Sequence, residues 1–533
     1  MLWKRRRLLE AGLALPFLAG KAFAQVPDRN LLSVERKPAA GTAAGVSAMK
    51  APRRALVIGN GAYGFGSLKN PPNDARALGE QLKRTGFDVH TAVDLPRKAM
   101  LEAISAYAES LTRDKAVGLF YFAGHGVQLA WRNYLLPTDA VIESLGDIQA
   151  RCVDVNAVIE GIAKAANPMN VVILDACREN PFGKDVRPEQ KGLSQVDAPI
   201  GTLLAYATSP GNLASDGDGA NGLYTEQLLR EMQVPEAKIE DVFKRVRLAV
   251  RLRSQGQQIP WESTSLEDDF WFIPPKDLRK ASDREEERAY QQQAVLWEKV
   301  KTATEPAPLE DFLRRYPSGP FSEIAQAQLD RILKLRGENK IVAVTSAQNP
   351  YTLGSATANL NYKVGDRYTY NLLDAFSKVV DQTVSHAVTD ISTSEVIYDN
   401  GKLTTDFLGN IIKHWDGRIF SSNQMYPAEF VVGKRWSTRF RIEHPTRGYF
   451  DQRTEFRITR KERITVPAGT FDAFRVDGNG FQVSPQGIIV TITRTAWFAP
   501  ERVRRPVATH QINRLGTYVG RADREELVSF SEA

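Results

Sequence analysis

Covalent chemistry in this chain falls most naturally to His125 and Cys177, which stand 52 residues apart. His125 lies in Ala123-Gly124-His125-Gly126, directly after the apolar run 117–122, and Cys177 lies in Asp175-Ala176-Cys177-Arg178-Glu179-Asn180, directly after the apolar run 171–174. A free thiol, with a pKa of about 8.5, is only slightly ionised at neutral pH, and an adjacent imidazole with a pKa near 6.5 can polarise it or take its proton during acyl transfer. Glycine on both sides of His125 lets a substrate backbone approach closely. It also leaves the Gly126 N–H to face a developing oxyanion, with the Cys177 N–H as the second donor, and each such donor is worth about 100- to 1000-fold in rate. The only other cysteine is Cys152, so a disulfide framework is excluded, and Cys152 reads as a small apolar filler.

The elements that must carry these residues alternate. Residues 56–58, 87–92, 117–122, 171–174 and 203–206 read as strands. Between them, Ala75, Leu78 and Leu82 share one helical face, with Asn73 as the expected cap and Gly86 as the stop, and Met100, Ile104, Tyr107, Ala108 and Leu111 make a second stripe. A further helix is expected over 154–165. The fold class is therefore α/β, a mainly parallel sheet flanked by helices through about residue 275, with ligands expected at the carboxyl ends of the strands. If the strands before His125 and Cys177 are neighbours, a spacing of about 4.8 Å brings the two side chains within reach.

Around this unit the chain divides further. Lys4-Arg5-Arg6-Arg7, a short apolar run and Ala22-Phe23-Ala24 read as a signal peptide over 1–24, with a twin-arginine character, giving a periplasmic or secreted protein without a permanent membrane anchor. Residues 25–52 read as a linker, 53–275 as the catalytic unit, 283–336 as one helical hairpin resembling a tetratricopeptide unit, 343–360 as a second linker and 361–530 as an all-β domain. The net charge of +7, on 70 basic and 63 acidic residues, argues against a nucleic-acid partner.

Several ordered motifs then carry a resemblance: residues 54–60 (RALVIGN), 69–75 (KNPPNDA), 120–126 (FYFAGHG), 134–139 (YLLPTD) and 174–178 (LDACR). Over about 53–275 the chain resembles the bacterial caspase-like peptidases of the caspase and metacaspase group. The resemblance implies a caspase-hemoglobinase fold and a catalytic His125 and Cys177, whose separation matches that of caspase-type dyads. It also implies that Asp175, two residues before the cysteine, lines the S1 pocket, so that the substrate is a polypeptide with Arg or Lys at P1. Arg178-Glu179-Asn180 replaces the His-Ser-Gly run usual in metacaspases. The rival reading is a catalytically idle caspase fold acting as a sensor or scaffold, and a third makes the β domain a lipid- or lipoprotein-handling module.

Other features carry less. Gly59-Asn60-Gly61-Ala62-Tyr63-Gly64 satisfies a dinucleotide fingerprint, but Lys69-Asn70-Pro71-Pro72 intervenes before any helix, so no cofactor is expected. Asp216-Gly217-Asp218-Gly219 leaves a calcium dependence open, although only a fragment of an EF-hand pattern is present and a solvated loop accounts for it. His386, His414, His444 and His510 lack metal-ligand spacing, so no metal is expected. With residues 466–474 (VPAGTFDAF) and 497–500 (WFAP), the all-β domain resembles bacterial periplasmic β-sheet modules, which implies a protein or envelope partner. The polar run 183–192 is expected to be an exposed loop, self-cleaved after Lys184 or Lys191.

Overall fold

The computed structural model describes residues 48–176, 182, 193–209, 219–266, 268–278, 281–338, 349, 352 and 354–532. Cys177, the remainder of its loop apart from Phe182, and Asp216–Asp218 lie outside them, as do the expected signal peptide and the expected cleavage loop.

The apolar runs form strands because they are covered on both faces. β1 (Arg53–Gly59), β2 (Asp88–Val93), β3 (Val117–Ala123), β4 (Gly126–Leu129), β5 (Arg132–Leu135), β6 (Val153–Asp154), β7 (Asn170–Asp175), β8 (Thr202–Tyr206) and β9 (Trp261–Thr264) make up the α/β unit. Six of them order as β2-β1-β3-β7-β8-β9, parallel except for β9, while β4, β5 and β6 form a small separate sheet. β1, β3, β7 and β8 are almost wholly buried, as a sheet covered by helices on two sides requires.

One face packs on α1 (Pro71–Arg84), and α2 (Arg97–Asp114) lies on the other. The cap of α1 falls at Asn70, not Asn73 as the sequence predicts, because Pro71 and Pro72 take the first helical positions, where no amide hydrogen is needed. The helix ends at Thr85, with Gly86 left-handed at φ 83°. Then come α3 (Leu145–Arg151), α4 (Val155–Ala163), α5 (Leu223–Glu231) and α6 (Ile239–Arg253). The unit begins before Arg53: Ala48, within the expected linker, is fully buried in the core under α1, and the Pro52 carbonyl accepts from the Val117 N–H.

The helical region holds three helices rather than one hairpin: α7 (Asp283–Val300), α8 (Pro306–Arg315) and α9 (Ser322–Leu335). Trp297, Phe312 and Phe321 bring all three together, with Trp297 and Phe321 stacked 6.0 Å apart. Ser282 and Glu285 close a capping box at the start of α7.

The last unit runs through β10 (Ser355–Thr357), β11 (Arg367–Asp374), β12 (Val380–Ile391), β13 (Val396–Tyr398), β14 (Leu403–Thr405), β15 (Ile411–Lys413), β16 (Ile419–Phe420), β17 (Glu429–Val431), β18 (Arg435–His444), β19 (Gly448–Val466), β20 (Gly469–Val483), β21 (Ile489–Phe498), β22 (Ala508–Leu515) and β23 (Tyr518–Ser531). β10, inside the expected second linker, pairs with β17, and the others form a closed antiparallel barrel in which β23 returns to β11. Closure removes the exposed sheet edges.

The units are joined by buried charge. Arg251 of α6 meets Asp330 at 2.6 Å and Glu338 at 2.8 Å, and Arg247 of α6 meets Glu429 of β17 at 3.7 Å. Tyr290 of α7 donates to the Arg439 carbonyl of β18, and Glu286 pairs with both Arg439 and Arg453.

Candidate active site

β3 and β7 are adjacent and parallel, with Ala123 opposite Asp175. The chain leaves both strands at one edge of the sheet, carrying His125 two residues beyond Ala123 and leading from Asp175 toward Cys177. The condition set by the sequence, neighbouring strands, is therefore met. Cys177 itself lies outside the described residues.

His125 is buried in a cage built by the loop after β1. Its Nε2 lies 2.6 Å from the Gly66 carbonyl oxygen. A carbonyl can only accept, so Nε2 carries the hydrogen and Nδ1 is the basic nitrogen. Tyr63 lies against the ring at 4.6 Å between centroids, and Phe65 stacks at 6.1 Å. The Tyr63 hydroxyl accepts from the His125 N–H at 3.0 Å and donates to the Leu136 carbonyl at 3.1 Å. Asn60 donates to that same carbonyl and accepts from the Leu95 N–H. Gly124 is needed here, since at its φ of 153° a Cβ would sit 2.5 Å from the Tyr63 hydroxyl. The GxGxxG-like segment thus holds a histidine, and α1 opens only at Pro71, beyond it.

Gly126 starts the β4–β5 hairpin opposite Leu135. The Leu136 N–H donates to the His125 carbonyl, so by the alternation of an antiparallel ladder Gly126 occupies a non-hydrogen-bonded pair and its N–H turns away from β5. A Cβ on Gly126 would come 2.7 Å from the Ala176 carbonyl oxygen, so this backbone lies directly against the residue preceding Cys177. Phe182, five residues beyond Cys177, packs on Phe65 at 5.6 Å, against the apolar cluster that holds Tyr63 and Leu136.

Asp175 is buried beside α5. Its Oδ2 accepts from the Thr225 hydroxyl at 3.0 Å and lies 3.5 Å from the Tyr121 hydroxyl, and those two hydroxyls are 2.7 Å apart. Asp74 of α1, also buried, accepts from Asn221 and from the Gly222 N–H, each at 2.9 Å. Burial, then Asp175, then Asp74 hold the Tyr121 hydroxyl well above the usual phenol range. The sequence reading did not single out Tyr63, Gly66 or Asp74. The signal for Asp74 was the KNPPNDA motif, and for the other two only the glycine-rich loop.

Cys152 packs in an apolar cluster with Tyr63, Tyr134 and Leu136, and burial pushes its thiol up to about 12, which makes it a poor nucleophile. His386 pairs with Asp399 and His414 with Asp416. Among the described residues no three His, Cys, Asp or Glu side chains group as metal ligands.

The mainly parallel sheet and the buried histidine at its carboxyl edge belong to a caspase-like domain. Residues 52–271 match the family model described as Caspase domain. The chain is also 30% identical over 190 residues to the mucosa-associated lymphoid tissue lymphoma translocation protein 1 homolog of Mus musculus and to the corresponding protein of Homo sapiens. The matched stretch is 35% of this chain and 22% of each relative, so the chain spans about a fifth of the length of the curated relatives it matches.

Proposed function

We propose that the α/β unit is a cysteine endopeptidase that cleaves polypeptides after Arg or Lys, with Cys177 as nucleophile and His125 as base. The observation that supports this is the 2.6 Å contact of His125 Nε2 with the Gly66 carbonyl, which makes Nδ1 the basic nitrogen of a histidine carried two residues past the end of β3, the neighbour of β7. In the acylation step the Cys177 sulfur attacks the scissile carbonyl while its proton passes to His125 Nδ1. The oxyanion is met by the Gly126 and Cys177 N–H groups, and the proton is then given to the leaving amine. Water, deprotonated by the same nitrogen, hydrolyses the thioester.

Basic specificity rests on Asp175, reinforced by Asp74. Both carboxylates act on the Tyr121 hydroxyl, and negative charge gathered there favours a substrate guanidinium or ammonium over an acidic side chain.

The test is hydrolysis of fluorogenic peptides ending in Arg, Lys, Asp or Leu. Cys177→Ala and His125→Ala should each lose at least about a thousandfold in kcat/KM without loss of fold, since residues acting as a unit lose activity non-additively. Asp175→Ala should lose activity toward Arg and Lys selectively, while an equal loss across all four peptides would make its role structural. A parent chain that hydrolyses none of them, and whose Cys177 is not labelled by an Arg-based thiol inhibitor, would overturn the proposal in favour of an idle scaffold.

A further inference from the structure

The barrel has two unlike ends. Five hairpin turns reach one of them: residues 375–379 between β11 and β12, 414–418 between β15 and β16, 445–447 between β18 and β19, 484–488 between β20 and β21, and 516–517 between β22 and β23. The register places them together, since Asp374 lies opposite Asp523, Thr491 opposite Arg514, Asp451 opposite Val483 and Ile419 opposite Glu443.

Among the described residues, every exposed large apolar side chain of the barrel unit except Val364 belongs to this end. Four of the five turns carry one at or beside the tip: Phe376 (63% exposed), Trp415 (42%), Ile488 (51%), and Leu515 with Tyr518 (52% and 57%). The fifth turn supplies Arg447, and Lys378 and Arg514 lie at or beside two of the others. None of these three cations pairs with a carboxylate among the described residues.

The pattern is informative because such side chains are ordinarily scattered singly over a surface, not gathered at one end. They ring the barrel mouth on separate turns with cations between them. A fluid surface accepts such a set without shape complementarity. Tryptophan and tyrosine suit the headgroup level of a bilayer, and each cation near an anionic leaflet adds attraction that salt weakens.

We propose that this end of the barrel docks on an anionic lipid bilayer, the apolar tips entering the headgroup region and Lys378, Arg447 and Arg514 meeting lipid phosphates. The orientation follows. β18 runs ten residues from Arg435, next to the β10–β17 contact with the α/β unit, to His444 at the docking end, so the peptidase unit is held on the order of 30 Å from the surface.

The test is co-flotation of the full chain with vesicles of phosphatidylcholine alone and of phosphatidylcholine with 30% phosphatidylglycerol. The expected result is flotation with the anionic vesicles only, weakened by 0.5 M salt. Phe376→Ser/Trp415→Ser/Tyr518→Ser and, separately, Lys378→Glu/Arg447→Glu/Arg514→Glu should each reduce the bound fraction at least tenfold with an unchanged thermal midpoint. Failure of the parent chain to float with anionic vesicles would overturn the proposal, as would flotation of both triple variants to the same extent as the parent. So would a concentration-dependent dimer in light scattering that the first variant abolishes, which would assign the face to a second copy.

Discussion

The histidine is set by a hydroxyl as much as by its own neighbours. Tyr63 bridges the His125 amide and the Leu136 carbonyl, two buried backbone groups on different segments, and its ring covers the imidazole. Tyr63→Phe keeps the ring and strands both groups, a cost of about 1 to 3 kcal/mol in stability. The imidazole keeps Gly66 and its aromatic neighbours but loses the fixed backbone behind it, so kcat should fall about tenfold with KM nearly constant. A role confined to folding would lower the amount of active enzyme but leave the turnover of titrated sites unchanged. Active-site titration with steady-state kinetics separates the two.

The turn between β14 and β15 contains a titrating group of a different kind. Asp406 accepts from the Leu408 and Asn410 N–H groups and from the Asn410 side chain, yet burial outweighs these bonds and raises its pKa to about 6. A carboxyl whose folded pKa lies above its unfolded value, about 4, favours the folded state when protonated. Its contribution is therefore fully present below about pH 4 and lost as pH rises through about 6. The parent barrel should melt at lower temperature at pH 7.5 than at pH 5, and Asp406→Asn should remove most of that slope. An unchanged slope in calorimetry of the variant would place the titration elsewhere.

Legibility follows the same physics. The five parallel strands announced themselves because runs such as residues 171–174 are apolar on both faces, and β3 next to β7 followed from their order as a testable condition. The third helix of the hairpin region did not show as a separate element because α8 is only ten residues long and opens on Pro306 at the first helical position. Barrel closure depends on β11 meeting β23 across the whole unit, and the bond from Asn221 to Asp74 joins residues 147 apart, so neither leaves a local pattern. Gly66 reaches His125 only through a carbonyl, which any residue type could supply.

Across the molecule, the three units are locked by charge that cannot be exposed cheaply. Arg251 is buried and holds both Asp330 and Glu338. Removing it as Arg251→Ala leaves two carboxylates without their cation, which should cost about 3 to 5 kcal/mol and lower the first unfolding transition. Arg251→Ala with Asp330→Asn and Glu338→Gln should recover much of it. Equal midpoints for the single variant and the parent would mean that the contact is solvated.

The position of β8 bears on what a cut chain would be. The segment 183–192 precedes it, yet β8 is paired on both sides, with β7 and β9, and residues 194–197 just before it are bonded to Asn133, Asn349 and Gly354. Hydrolysis after Lys184 or Lys191 would therefore yield two polypeptides that remain a single particle. A nick there would give the segment after Cys177 a free end, while the mass, the barrel and His125 stay together.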